Sequence, residues 1–186
     1  KEFFGNRELL DTADAEGSYP LHRAVEQDAP DIVELLLALG AKPDPVDAKG
    51  RTPLRLAVDK GGTASAKVLA ERGASLFSKD SSGTTVAQAA LSKAPGGGEL
   101  FAAVFTAKTI GQRDAEGSTV LHLAADSLLE EPVRLLLDAG ADPAAKNAAG
   151  HTALDMALLH PDRVESARIA ELLILRGSTT SFPEFA

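Results

Sequence analysis

Two of the four histidines sit in near-copies of one stretch: ADAEGSYPLHRAVEQ (13–27) and RDAEGSTVLHLAADS (113–127). An imidazole beside acidic residues is a common general base and metal ligand near neutral pH. The duplicated Asp-Ala-Glu-Gly-Ser segment with its Leu-His therefore admits three readings: a catalytic motif on duplicated domains, a pair of metal sites, or the punctuation of a structural repeat. The other two histidines, His151 and His160, flank Asp155 and suggest a metal site. Zinc needs at least three well-placed ligands, and nothing else in the sequence completes that set. The glycine run Gly96–Gly98 is followed by Glu99 and Leu100, where a phosphate-binding loop needs Lys and Ser/Thr, so it reads as an interhelix loop. There is no Ser-His-Asp set with a recognisable nucleophile elbow and no credible carboxylate pair. No cofactor is expected.

The elements that would position these residues recur with a period. Asx-x-x-Gly falls at Asp14–Gly17, Asp47–Gly50, Asp80–Gly83, Asp114–Gly117 and Asn147–Gly150, with spacings of 33, 33, 34 and 33 residues. Two residues after each Gly stand Tyr19, Thr52, Thr85, Thr119 and Thr152. Four after it come Leu21, Leu54, Ala87, Leu121 and Leu154, and seven after it Ala24, Ala57, Ala90, Ala124 and Ala157. Asx-x-x-Gly suits a turn whose Gly takes positive φ. Thr suits a helix N-cap, and Pro20 or Pro53 a first helical position. The aliphatic clusters VELLLALGA (33–41), KVLAERGA (67–74), VRLLLDAGAD (133–142) and AELLILRGS (170–178) have helical spacing and a Gly stop. Each unit reads turn, short helix, loop, second helix, stop.

With these motifs in register, the chain resembles the ankyrin-repeat family, most plainly in DAKGRTPLRLAVDKG (47–61) and GSTVLHLAADS (117–127). The family unit is a β-turn plus two antiparallel helices of about 33 residues. The resemblance spans roughly residues 14–178 and implies an all-α solenoid of helix–turn–helix units joined by β-turn/hairpin loops. The expected units are 14–46, 47–79, 80–113, 114–146 and 147–186, with residues 1–13 capping the first through Phe3, Phe4, Leu9 and Leu10 and the tail residues Phe182 and Phe185 folding back on the last. The third unit is degenerate, with TTVAQAAL (84–91) in place of the core motif and an irregular TAKTIG (106–111) ending. The fifth is about four residues longer, and the extra residues are expected between its helices. The resemblance also implies that His22 and His122 hydrogen-bond between adjacent loops. They lie three units apart and cannot meet in a linear array.

A net charge of −8 argues against duplex nucleic acid as main partner, since phosphate binding needs surplus Lys and Arg. The absence of cysteine excludes disulfides and thiolate metal sites. No apolar run approaches about 18 residues, and no signal peptide opens the chain. The first residue is Lys, which suggests a mature form or a fragment. The cytoplasm is the favoured compartment, with bacterial periplasm or surface the alternative for a processed chain.

Family resemblance implies a non-catalytic monomer that binds a protein through its turn tips and first helices. By position, that surface comprises Glu16, Ser18 and Glu26; Lys49, Arg51, Asp59 and Lys60; Thr84 and Lys93; Glu116, Ser118 and Asp126; and His151. Unit 14–46 holds two basic and seven acidic residues, unit 47–79 seven and three, and unit 114–146 two and seven. A basic stripe between acidic ones would orient a partner of complementary charge. The alternatives are a regulatory or targeting part of a larger enzyme and a metal site in the last unit.

Overall fold

The computed structural model describes residues 7–94 and 98–181. Among these, eleven helices follow in order: α1 (Arg7–Leu10), α2 (Pro20–Glu26), α3 (Pro30–Ala38), α4 (Pro53–Lys60), α5 (Thr63–Glu71), α6 (Val86–Ser92), α7 (Gly98–Val104), α8 (Val120–Asp126), α9 (Glu130–Asp138), α10 (Ala153–Leu159) and α11 (Arg163–Leu175). The only extended pairing among the described residues is an isolated antiparallel bridge, Lys79 to Thr85. The chain forms two compact units, residues 1–109 and 110–186.

Every turn is built alike. The Asp14 Oδ1 accepts the amides of Glu16 (3.0 Å) and Ser18 (2.8 Å), and Gly17, at φ 76°, donates to the Asp14 carbonyl. The same pair of amides reaches Asp47, Asp80, Asp114 and Asn147. Asp and Asn are the residues best suited to place a side-chain oxygen there, and the use of Oδ1 explains why Asn serves at 147. Adjacent turns lie in contact. Ser81 donates its amide to the Lys49 carbonyl (3.0 Å), and Ala148 to that of Glu116 (2.9 Å). A Cβ on Gly50 would stand 2.9 Å from the Ser81 nitrogen, and one on Gly117 2.9 Å from that of Ala148. Glycine is thus required there by close approach as well as by φ.

After each turn a short helix begins. The Thr52, Thr85 and Thr152 hydroxyls accept the amide three residues on, satisfying a donor the helix cannot use itself. The periodic leucines Leu21, Leu54, Leu121 and Leu154 are at most 2% exposed, and Ala24, Ala57, Ala90, Ala124 and Ala157 at most 5%. The alanine methyl groups are too small to hold neighbouring helices apart. In the first unit α2 packs on α4 and α4 on α6, with α3 against α5 and α5 against α7. In the second, α8 packs on α10 and α9 on α11. Four second helices end on a left-handed Gly (Gly40, Gly73, Gly140, Gly177). The next amide then returns to the carbonyl five residues back, as Ala41 to Leu36 and Ser178 to Leu173.

Two expectations change. The additional residues of the last repeat do not lengthen its loop: Asp162 caps α11 by accepting from Val164 and Glu165, and α11 runs for 13 residues where α9 has 9. The insertion is therefore one more helical turn. In the degenerate segment α7 already starts at Gly98, so this residue is helical; Gly96 and Gly97 lie outside the described residues. Beyond α7, the Thr109 hydroxyl caps the Val104 carbonyl (2.6 Å) in place of a Gly stop. Of the N-terminal segment, α1 and Asp11 are described, and the Lys42 amide donates to Asp11 (3.0 Å). Phe3, Phe4, Phe182 and Phe185 lie outside the described residues.

Candidate partner-binding surface

In α2, α4 and α8 the third residue fastens one turn to the next. His122 Nδ1 accepts the Thr119 amide (3.2 Å), and its Nε2 bonds the His151 carbonyl (3.1 Å). His22 does the same between the Tyr19 amide (3.3 Å) and the Arg51 carbonyl (2.9 Å). These partners require a neutral Nε2–H imidazole, because a second N–H would face the amide. Desolvation by burial is the chief cause lowering both pKa values, against the opposing pull of the carbonyl acceptors. These histidines are at most 1% exposed, so they have no access to a substrate.

Arg55 has no acceptor for the amide of its own N-cap and reaches the next turn by donating to the Thr84 carbonyl (3.2 Å). Gln88 closes its own N-cap, its Oε1 accepting the Thr85 amide (3.0 Å). Asp155 accepts the Thr152 amide (2.8 Å) and then meets the chain's own tail. The Thr180 hydroxyl donates to Oδ1 (2.6 Å), and Ser181 donates its amide (2.9 Å to Oδ1) and its hydroxyl (2.7 Å to Oδ2). Desolvation pushes the Asp155 pKa up, but these donors outweigh it and hold it at about 2. Asp155 is thus a tail anchor. Among the described residues no group of three or more His, Asp or Glu side chains could hold a metal ion.

The surface residues fall into tied and free classes. Arg23 bonds Asp14, Glu16 and Glu26 at 2.7–3.0 Å, so Glu16 and Glu26 are partly neutralised. In the next turn a ladder runs through Asp47, Arg51, Asp59, Arg55 and Asp80. Its contacts are Arg51–Asp47 2.7 Å, Arg51–Asp59 3.8 Å, Arg55–Asp59 2.9 Å and Arg55–Asp80 2.7 Å. The Ser82 hydroxyl is the main cause lowering the Asp80 pKa, with Arg55 adding to it. Arg51 and Arg55, two of the seven basic residues of 47–79, are therefore consumed inside the fold. Lys49 and Lys60 are exposed and unpaired with any carboxylate among the described residues. Lys93 is exposed and donates to the Asp59 carbonyl (3.1 Å). Ala48, Lys49, Arg51, Asp59, Asp80, Ser81 and Ser82 line a shallow cleft between two turns. Ser18 and Thr84 are half-buried.

In the second unit Glu116 and Asp126 are exposed and His151 is half-buried, its carbonyl engaged by His122. Ser118 is 7% exposed, its amide tied to Asp114 at 2.7 Å, which removes it from the accessible surface. Sequence reading missed Arg113, whose guanidinium joins two turns through the Gly117 (2.6 Å) and Lys146 (2.7 Å) carbonyls. It also missed Asp28, which caps α5 by accepting the Ser65 amide (3.1 Å).

Stacked turn–helix–helix repeats fastened turn to turn define a class of protein, the repeat solenoid. Comparison agrees. The family described as ankyrin repeats (3 copies) matches residues 2–80, and the single ankyrin repeat matches residues 116–148. The chain belongs to the ankyrin-repeat family, whose members are generally protein–protein interaction modules and typically not catalysts. The crystal structure of the ankyrin repeat domain of Bcl-3, a unique member of the IkappaB protein family, aligns with TM-score 0.64 and 26% identity, covering 95% of this chain and 77% of that one. The ankyrin repeat protein EF0377 aligns with TM-score 0.58 and 27% identity, covering 90% and 84%. No curated protein matches significantly. No helix among the described residues is long and apolar enough to cross a membrane.

Proposed function

We propose that the chain is a non-catalytic binding module that holds a protein partner on its turn tips and first-helix ends. The observation that supports this most is the division of labour among polar groups. Backbone amides, Arg51, Arg55 and the Asx side-chain oxygens hold the turns in place, while Lys49, Lys60 and Lys93 project from the same turns and helix ends. A surface fixed before binding loses little entropy when a partner arrives. In residues 1–109 the partner it suits presents carboxylates to these lysines. In the second unit Glu116, Asp126 and His151 form the corresponding surface.

The experiment is charge reversal at Lys49, Lys60 and Lys93 together, read by affinity capture of a partner from native lysate and by thermal unfolding. Capture is expected to weaken roughly tenfold, since each exposed charge contributes about 0.2–1 kcal/mol, with unfolding unchanged. Arg51→Glu, which places a third carboxylate beside Asp47 and Asp59, is expected to lower the unfolding temperature instead. Unaltered capture by the triple variant would move the partner to another face.

A further inference from the structure

The extra turn of α11 changes what the helix shows to solvent. Ser166, Ile169, Ala170 and Leu173 are its buried residues. At 3.6 residues per turn, the opposite side carries Val164, Arg168, Glu171 and Leu175. Val164 and Leu175 are 66% and 74% exposed, and Arg168 has one long contact, 3.4 Å to Glu165. Aligned on the stop glycine, α9 has Glu131, Arg134 and Asp138 where α11 has Arg168, Glu171 and Leu175. Val164 belongs to the added turn and has no counterpart within α9. A face that is wholly charged on α9 is thus apolar at both ends on α11, with one basic and one acidic residue between. Leu172 broadens it on one side, in a hollow lined with Glu130, Arg168, Glu171 and Leu175.

We propose that a second copy of this chain docks on that face, with the two α11 helices antiparallel about a two-fold axis level with Ile169 and Ala170. The order apolar, basic, acidic, apolar is complementary to its own reverse. In this register Val164 of each copy meets Leu175 of the other, and Arg168 of each meets Glu171 of the other, every contact being made twice as an isologous interface requires. The two apolar contacts lie about 17 Å apart along the helix, with both ion pairs between them. A parallel pairing would instead set Arg168 against Arg168 and Glu171 against Glu171. The added turn supplies the contact partner that Leu175 needs, since a helix of the length of α9 would lack Val164. One helix pair buries less than the about 1,200–2,000 Å² of a stable interface, so the association is weak and concentration-dependent. None of these residues belongs to the partner surface proposed above, and the two readings fail independently.

The test is sedimentation equilibrium of the full chain from about 10 µM to about 1 mM, the range of a small transient interface. The mass is expected to rise from the 19.3 kDa of one chain toward twice that value. Arg168→Glu and Glu171→Arg each place like charges opposite one another at the centre of the pair, and each variant alone is expected to associate at least about tenfold more weakly, with thermal unfolding unchanged. An equimolar mixture of the two variants restores an acidic–basic pair at both positions and should associate like the unaltered chain, an outcome that damage to the fold could not produce. A constant monomer mass over the whole range would overturn the proposal. So would single variants that associate as the unaltered chain does, which would place the contact on another face, or a mixture that stays monomeric, which would rule out the antiparallel register.

Discussion

His122 holds two partners with two different nitrogens, and the amide accepted at Nδ1 demands the uncharged ring. Both His22 and His122 have pKa values lowered from 6.5, chiefly by burial. A depressed histidine pKa means that the folded state disfavours the proton. The stability these residues contribute is full above pH 6.5 and is lost as pH falls from there through the folded value. NMR titration of the two imidazoles should give midpoints below 6.5, and a midpoint at or above that value would contradict the neutral-ring geometry. Asp155 has the carboxylate version of this linkage. Its pKa falls from 3.8 to about 2, so its contribution of about 2 kcal/mol is present above pH 3.8 and disappears as pH falls toward 2. Asp155→Asn should remove that pH dependence and loosen Thr180 and Ser181 by hydrogen exchange; unchanged exchange there would rule out the tail anchor. The sequence placed His22 and His122 correctly, since only the repeat period was needed to separate them. It gave Asp155 no role as an anchor, because the group that answers it lies 25 residues on, in a tail outside the period.

Between the paired helices, the loops before α3 and α9 turn through a non-glycine residue with positive φ: Asp28 at 44° and Leu128 at 51°. The corresponding loop before α5 uses Gly61 at 74°. The left-handed region costs an L-residue about 1–2 kcal/mol, yet the two sites should respond oppositely to glycine. Leu128→Gly is expected to raise stability by about 0.5–1 kcal/mol, because it relieves strain at the loss of only a half-buried side chain. Asp28→Gly relieves similar strain but orphans the Ser65 amide, and is expected to be destabilising by about 1 kcal/mol. Thermal unfolding of both variants checks the pair, and equal responses would show that the Asp28 cap contributes nothing. Helix starts and stops were legible because Thr, Pro and Gly act locally. The destination of the four-residue insertion was not, since the sequence does not show that Asp162 caps the longer helix. The charge of residues 47–79 was countable but not its availability: which arginines are consumed depends on Asp47, Asp59 and Asp80 converging from two turns and a helix.

At the scale of the molecule, repetition let five short motifs be read together, and for that reason the fold was almost wholly visible in the sequence. A binding surface has no such redundancy. Its residues sit at positions where the repeat imposes nothing, and the partner's own chemistry is written elsewhere. The most direct measurement is lysine reactivity by acetylation and mass spectrometry, with and without the captured partner. Lys49, Lys60 and Lys93 lie on turn tips and first-helix ends, whereas Lys67 projects from second helix α5 with a side chain 64% exposed. Partner binding should suppress modification of Lys49, Lys60 and Lys93 and leave Lys67 as reactive as in the free protein. Protection of Lys67 with the other three unchanged would contradict the proposed binding face.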